Sequence, residues 1–356
     1  MTAPNRRRVL RVSIAAATVA TGGLAAAGAV ASRNALGHRP PQPAHLRTAA
    51  PLPYAHIAAL DLVKSEARSG GSLRAAHRVV TAMDGGDIAA WLALGESAID
   101  LPDKPRRLRK MPTFTGDVLD PQQSHGDLLL QITGRSAQAV RDAAEQTLSK
   151  LPQWRIRWRI DGVRPEDRTE SGRGLALNPF HFTEGYGNPA SPAEIAERAT
   201  VQTGQGEPTW AMGGSYQVIR IIRLATDFWD RDTLHDQERI IGRRKDGRWL
   251  DGTPADERAV FASDPDGKIT PLDAHVRRAA PDRRHPPPLV RRGYNYRRST
   301  DDQGLIFSCF QRDLAEGFEA VQHRLQGEAM AKYTLTVGGG YFFVPPPGGE
   351  WLNTLA

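Results

Sequence analysis

One order of segments occurs twice along this chain, and that recurrence limits its fold more than any other feature. In the first half, His56–Val63 (HIAALDLV) is strand-like, and Ser72–Met83 spaces its apolar residues for a helix. Asp127–Thr133 (DLLLQIT) is a short apolar strand. Ser136 can cap a helix through Leu151 that carries Val140, Ala144, Leu148 and Leu151 on one face, and Trp154–Val163 (WRIRWRIDGV) alternates like a strand with one wet side. The second half repeats the order: a strand at Ser215–Leu224, a helix at Leu234–Arg244, a strand at Leu305–Gln311, a helix with Phe318, Val321 and Leu325 on one face, and a strand at Tyr333–Val344. Such units predict two α+β lobes, each an antiparallel sheet with helices on one face. The lobes are expected over 53–165 and 213–356, joined by the polar, Gly-rich stretch 166–212.

The N-terminus has a different character. Asn5–Arg11 reads NRRRVLR, an Ala-rich apolar stretch follows from Val12, and Ala29-Val30-Ala31-Ser32 ends it with small residues. That is the order of a cleavable signal, and the Arg pair before Val9-Leu10 matches the twin-arginine pattern. Thr18, Thr21, Gly22 and Gly23 make the apolar stretch weaker than a membrane span. Residues 1–31 are therefore expected to be a signal for the twin-arginine export machinery, which carries folded proteins out of the cytoplasm. The mature protein is then extracellular or in the cell envelope. Residues 32–52, with four prolines, are expected to be a flexible linker.

The net charge of +7 owes four units to Arg6, Arg7, Arg8 and Arg11. Elsewhere Arg and Lys are interleaved with Asp and Glu, which argues against a nucleic-acid partner. A single cysteine, Cys309, excludes an intrachain disulfide, and there is no CxxCH to attach haem covalently. It lies in GLIFSCF, where a small buried side chain fits. HExxH, paired CxxC, GxGxxG after a strand, a Walker loop and GxSxG are all missing, so the common zinc, nucleotide and serine-hydrolase chemistries have no motif here.

Three segments stand out. Asn178–Pro189 (NPFHFTEGYGNP) places Glu184 in a Gly-rich loop beside aromatics, Ala274–Pro281 (AHVRRAAP) sets His275 among small residues, and Leu289–Tyr296 (LVRRGYNY) ends an apolar pair in two arginines. Singly, each has a bland reading: a solvated acid, a structural histidine, a salt-bridged strand end. Together they supply an imidazole suited to iron, a guanidinium that keeps its proton, and a carboxylate that can move one.

At these residues the chain resembles the dye-decolourising peroxidases. PTFTGDVLDPQQSHGDLLLQI (112–132), GGSYQVIRIIRLATDFWDRDTLHDQERIIGRRKDG (213–247), AHVRRAAP, LVRRGYNY and GLIFSCFQRD follow in the family's order, and the tail HRLQGEAMAKYTLTVGGGYFFVPPPG resembles its twin-arginine-exported branch, which includes peroxidases of iron-uptake operons. The resemblance implies duplicated ferredoxin-like lobes of the dimeric α/β-barrel kind, with haem b held non-covalently in the C-terminal lobe. It implies hydrogen peroxide and organic electron donors, such as dyes and phenols, as substrates, and leaves room for a homo-oligomer. His275 matches the axial ligand of the family's HxR motif and Arg291 its distal arginine. Leu305 and Phe307 match the apolar pair over the distal haem face, and Glu328 falls where an acid could orient the axial imidazole.

One departure touches the chemistry. Where the family has GxxDG, with Asp as proton shuttle, this chain reads His181-Phe182-Thr183-Glu184-Gly185. Glu184 keeps the functional group on a longer arm, and His181 adds bulk and a second base to the turn. Electrons from bulky donors would enter through surface aromatics, with Trp229 and Tyr294 among the candidates. The alternative function is deferrochelatase-type haem handling for iron acquisition, with weak turnover. The stretch 84–105 is also shorter than in many relatives.

Overall fold

Four strands and two helices make the N-terminal lobe: β1 (Tyr54–Leu62), α1 (Gly70–Met83), β2 (Ile88–Leu94), β3 (Leu128–Gly134), α2 (Ala137–Ser149) and β4 (Trp154–Val163). The computed structural model describes residues 43–47, 51–63, 70–98, 103–167, 175–257, 261–282 and 285–354; the signal expected over 1–31 and most of the linker expected over 32–52 lie outside them. The strands are antiparallel in the order β4-β1-β3-β2, the ferredoxin-like arrangement. Both faces of this sheet are covered. Ala58, Leu60, Leu128, Leu130 and Ile132 pack beneath Leu73, Ala76 and Val80 of α1 and Val140, Ala143 and Ala144 of α2. Ala55, Ile57, Ala59 and Leu129 face the opposite way, into a separate core. Central strands buried on both sides therefore read as continuous apolar runs, whereas β4 keeps Arg155, Arg157 and Arg159 in solvent and alternates. Ser136 caps α2, its Oγ accepting from the Ala139 amide at 3.4 Å.

The connecting segment 166–212 has more structure than a linker. It forms a small sheet of β5 (Glu166–Asp167), β6 (Leu175–Leu177) and β7 (Thr183–Glu184), then α3 (Pro192–Ala199), which Ser191 caps and Pro192 opens. The C-terminal lobe follows with β8 (Ser215–Leu224), α4 (Thr226–Trp229), α5 (Leu234–Ile241), α6 (His275–Ala279), β9 (Val290–Arg291), β10 (Tyr294–Arg297), β11 (Gln303–Gln311), α7 (Ala320–Arg324) and β12 (Thr334–Val344). Its order is β12-β8-β11, with β9 and β10 on the far edge of β11, so the first lobe's arrangement recurs.

The sheet then closes on itself. β2 meets β12 at Leu94–Phe343, and β10 pairs with β11 over four residues while touching β4 at Asn295–Val163. At that second seam the chains come so close that a Cβ on Gly162 would sit 2.6 Å from the Cβ of Tyr294. The resulting barrel encloses Trp158, Ile160, Ile219, Ile221, Ile306, Phe310 and Phe342. A polar chain also runs inside it: the Trp91 indole donates to Gln217 Oε1 at 3.1 Å, and Gln217 Nε2 donates to Gln131 Oε1 at 2.7 Å.

Several expectations are corrected. The Ala-rich IAAWLAL, whose alanines have little strand propensity, also forms a strand: it is β2, held by seven residue pairs with β3. The helix expected to reach Arg244 stops at Ile241, where Gly242 takes a left-handed φ of +88°. Phe318–Leu325 is split between a π-helical turn (Ala315–Glu319) and α7. The end of the expected linker is not free: Ala44–Leu46 makes a 3₁₀ turn with His45 and Leu46 buried, because both can enter the apolar barrel end. No helix among the described residues is long and apolar enough to cross a membrane.

Gly242 bears directly on the candidate site. A Cβ there would lie 2.7 Å from Val276 Cγ2 and 3.0 Å from Ala274 Cβ, on either side of His275. Gly242→Ala is therefore expected to destabilise the protein by about 1–2 kcal/mol, from left-handed strain and the collision together. A urea melt would check this, and an unchanged midpoint would contradict it.

Candidate active site

The first wall is built from Asn178–Pro189. Asn178 folds the loop: its Oδ1 accepts from the amides of Phe180 and Phe182, both at 3.0 Å. The two phenylalanines are buried against Trp229, with ring centroids 4.4 Å and 5.9 Å away. With that anchor set, the chain leaves as β7 and Glu184 pairs with Ala176 of β6. Glu184 is half-buried, and among the described residues no hydrogen bond or ion pair engages its carboxylate.

The same loop clamps Arg291. Asn188 Oδ1 accepts from the Arg291 amide at 2.9 Å, and Asn188 Nδ2 donates to the Arg291 carbonyl at 3.0 Å. The Arg291 guanidinium donates to the Tyr186 carbonyl. The Tyr186 ring lies 4.8 Å from the guanidinium of Arg243, which also stacks on Trp249 at 3.6 Å. Acid and arginine thus belong to one rigid unit, although 107 positions separate them in sequence.

Opposite them stands His275, the first residue of α6. Its Nδ1 is 2.6 Å from Glu328 Oε2, which leaves Nε2 as the nitrogen able to take a metal. Arg277 staples the helix to the preceding loop: it donates to the Asp264 carboxylate at 3.1 Å and to the Thr270 carbonyl at 2.7 Å. On the other side, Arg324 donates to the carbonyls of Arg278 and Ala279 at 3.2 Å and 3.0 Å. Arg277 of AHVRR and Arg324 of the C-terminal segment together fix the short helix.

The floor is β11. Arg291 pairs with Cys309, so its side chain shares a face with Phe307 and Leu305, two and four residues before Cys309. Leu305, Phe307 and the neighbouring Ile222 are only half-buried, on strands whose inward residues are fully covered. Apolar side chains left open in this way, between a histidine and an acid–arginine pair, fit a flat apolar cofactor. Cys309 is buried and its thiol is pushed up by burial, so it takes no part as a thiolate.

The charges act on one another across this space. Burial raises the pKa of Glu184, while Arg164, Arg291 and His275 pull it back only in part. For Arg291, burial lowers the value and Glu184 opposes the shift. Burial also disfavours a charged His275, but the charge and hydrogen bond of Glu328 outweigh it and hold the imidazole above its ordinary range.

Family models match both lobes: that for the N-terminal part of Dyp-type peroxidases over residues 54–164 and that for their C-terminal part over 176–348. The chain belongs to the Dyp-type peroxidase family. It is 38% identical to a deferrochelatase of Yersinia pestis over 257 residues, which cover 68% of this chain and 59% of that protein. A deferrochelatase of Escherichia coli O6:K15:H31 is 37% identical over 277 residues, covering 73% and 66%. The chain thus spans about three fifths of the curated relatives' length. Among solved structures, that of DtpA from Streptomyces lividans superposes with a TM-score of 0.77 at 27% identity, covering 87% of this chain and 94% of that one.

Against the Dyp-type pattern, the departure at HFTEG acquires a physical reading. His181, which the sequence resemblance sets against a Gly, keeps a left-handed φ of +63°. The turn still demands that backbone, and a histidine adopts it at a cost of roughly 1–2 kcal/mol. Its side chain is exposed, so it is not a second base in the site. Trp229 and Tyr294, considered as surface aromatics, are buried at 0% and 2% exposure, because one anchors the Asn178 loop and the other fills the barrel. Sequence reading also passed over Arg164, Asn178, Asn188 and Arg277. Asn-Pro at 188–189 signals a turn, and the HxR pattern contains Arg277, but nothing in the sequence marks Arg164.

His181→Gly should stabilise the protein by about 1 kcal/mol through relief of that strain, with a peroxide reaction rate within twofold of the parent. Urea melts and stopped-flow kinetics would measure the two. A destabilised or inactive variant would show that the imidazole has a role of its own.

Proposed function

We propose that this Dyp-type family member is an exported haem b peroxidase, which reduces hydrogen peroxide and oxidises organic donors such as dyes and phenols. The reading rests on one observation: an uncommitted carboxylate and a clamped guanidinium face an imidazole whose other nitrogen is already engaged by Glu328. His275 would hold haem iron through Nε2, with Leu305, Phe307 and Ile222 against the ring. Haem held there would supply the redox chemistry between peroxide and an organic donor.

The protein's own residues handle protons and charge. Glu184 takes a proton from one peroxide oxygen and returns it to the other, which then leaves as water. Arg291, which cannot lose its proton, stabilises negative charge on the separating oxygens. Glu328 accepts from His275 Nδ1 and fixes the tautomer and ring orientation. Glu184 must be ionised to accept a proton. Because burial raises its pKa, the rate should rise with pH through a value above the ordinary carboxylate range. Arg164 favours the ionised form, so Arg164→Leu should move that rise to higher pH.

The twin-arginine pattern supports export after folding, and hence an extracellular or cell-envelope location. A second reading, deferrochelatase-type handling of haem with weak turnover, is supported by the names of the relatives at 37–38% identity. Repeated peroxide additions to the haem-loaded protein separate the two: sustained donor oxidation supports the peroxidase, and bleaching of the Soret band after few turnovers supports the alternative.

Three substitutions test the roles. His275→Ala should lose the Soret band of bound haem. Glu184→Gln and Arg291→Leu should each retain haem and slow the reaction with peroxide by about 10²–10⁴-fold, measured by stopped flow. Full haem occupancy with an unchanged spectrum in the first, or unchanged rates in the other two, would overturn the assignments.

A further inference from the structure

A second cavity lies on the inner side of the sheet, and the chemistry above does not use it. Arg291 faces the helices. Arg292, the next residue, points into the barrel, where it is buried beside His45, Trp91, Gln131 and Tyr294 in a cavity of about 120 Å³. That is room for roughly four waters at ~30 Å³ each. Arg47 and Arg135, both well exposed, stand at its mouth.

The lining is rich in donors and poor in acceptors. Gln131 is wholly buried. Its Oε1 is taken by Gln217, and its Nε2 has no hydrogen-bond partner. His45 is 4% exposed. One ring nitrogen meets Ser215 Oγ at 3.0 Å, and Nδ1 has no partner. Leaving such groups unmatched costs about 1–3 kcal/mol each. Burial, and then the charge of Arg292, hold the His45 pKa down to about 3, so the ring is neutral at ordinary pH. Asp87 is the one acid in the lining, and it sits at the rim with Arg135. Apart from Thr133, whose hydroxyl donates to the Ala89 carbonyl, the remaining side chains of the walls are apolar or aromatic, among them Leu52, Ile88, Trp91 and Tyr294.

We propose that this cavity binds a small organic anion, with its carboxylate on the Gln131 amide, His45 and the Arg292 guanidinium and its carbon skeleton against Trp91 and Tyr294. The positive field favours an anion, the flat walls favour a carbon skeleton over a hydrated inorganic ion, and the volume encloses a carboxylate with a few carbons, so that the ring of an anion such as benzoate reaches into the mouth. The segment around His45, joined to the N-terminal end of the chain, closes the site, so occupancy also ties that segment to the barrel.

The test is a calorimetric titration of benzoate into the haem-loaded protein. One saturable equivalent is expected, with an unmoved Soret band and intermolecular NOEs from benzoate protons to the Trp91 indole. Gln131→Leu and His45→Phe, each of similar volume to the original, should weaken binding at least tenfold, while Glu184→Gln should leave it unchanged. The NOEs in the unaltered protein carry the test by themselves should either variant fail to fold. No saturable heat, undiminished affinity in both variants, chloride binding as tightly as benzoate, or a benzoate-induced Soret shift would each overturn the proposal.

Discussion

Everything in this molecule depends on the double pairing of Tyr294–Arg297. That short strand bonds along β11 and touches β4, and so turns two four-stranded sheets into one closed wall. Closure removes free sheet edges and gives each strand an inside and an outside. It also separates neighbouring residues by function. Arg291 faces the helices and the candidate haem site; Arg292 faces the barrel interior.

The outer face matters because it combines rigidity with openness. Most outward strand residues are sealed by helices. Leu305, Phe307 and Ile222 are only half-buried, and α6 beside them is a helix of five residues. The walls of that gap are held by backbone as much as by side chains. Asn178 and Asn188 tie the acid and arginine to one loop, and the arginines around α6 tie the histidine to its neighbours. A site of this kind places charges with little reorganisation, which is where electrostatic catalysis gains most.

The left-handed His181 shows how such a site tolerates a change of residue. The turn needs its backbone conformation more than it needs a glycine, and the strain is carried because the side chain escapes into solvent. The Glu184 carboxylate is likewise not committed to a structural hydrogen bond among the described residues, so its position does not depend on one.

Much was legible in the sequence. The repeated strand–helix order determined two antiparallel lobes, since apolar runs and amphipathic spacing have few other ways to bury themselves. Ser136 marks a helix start by local chemistry alone. The residue types of the site were also readable, as histidine, arginine and acid in three segments. What only the tertiary structure decided is long-range. The Ala-rich β2 became a strand because β3 offered it seven partners, against its own propensity. Trp229 and Tyr294 went inside because their neighbours needed filling, and His45 left its linker to cover the barrel. Whether an acid at 184 meets an arginine at 291 depends on pairings across more than a hundred residues, and local spacing carries no record of that distance.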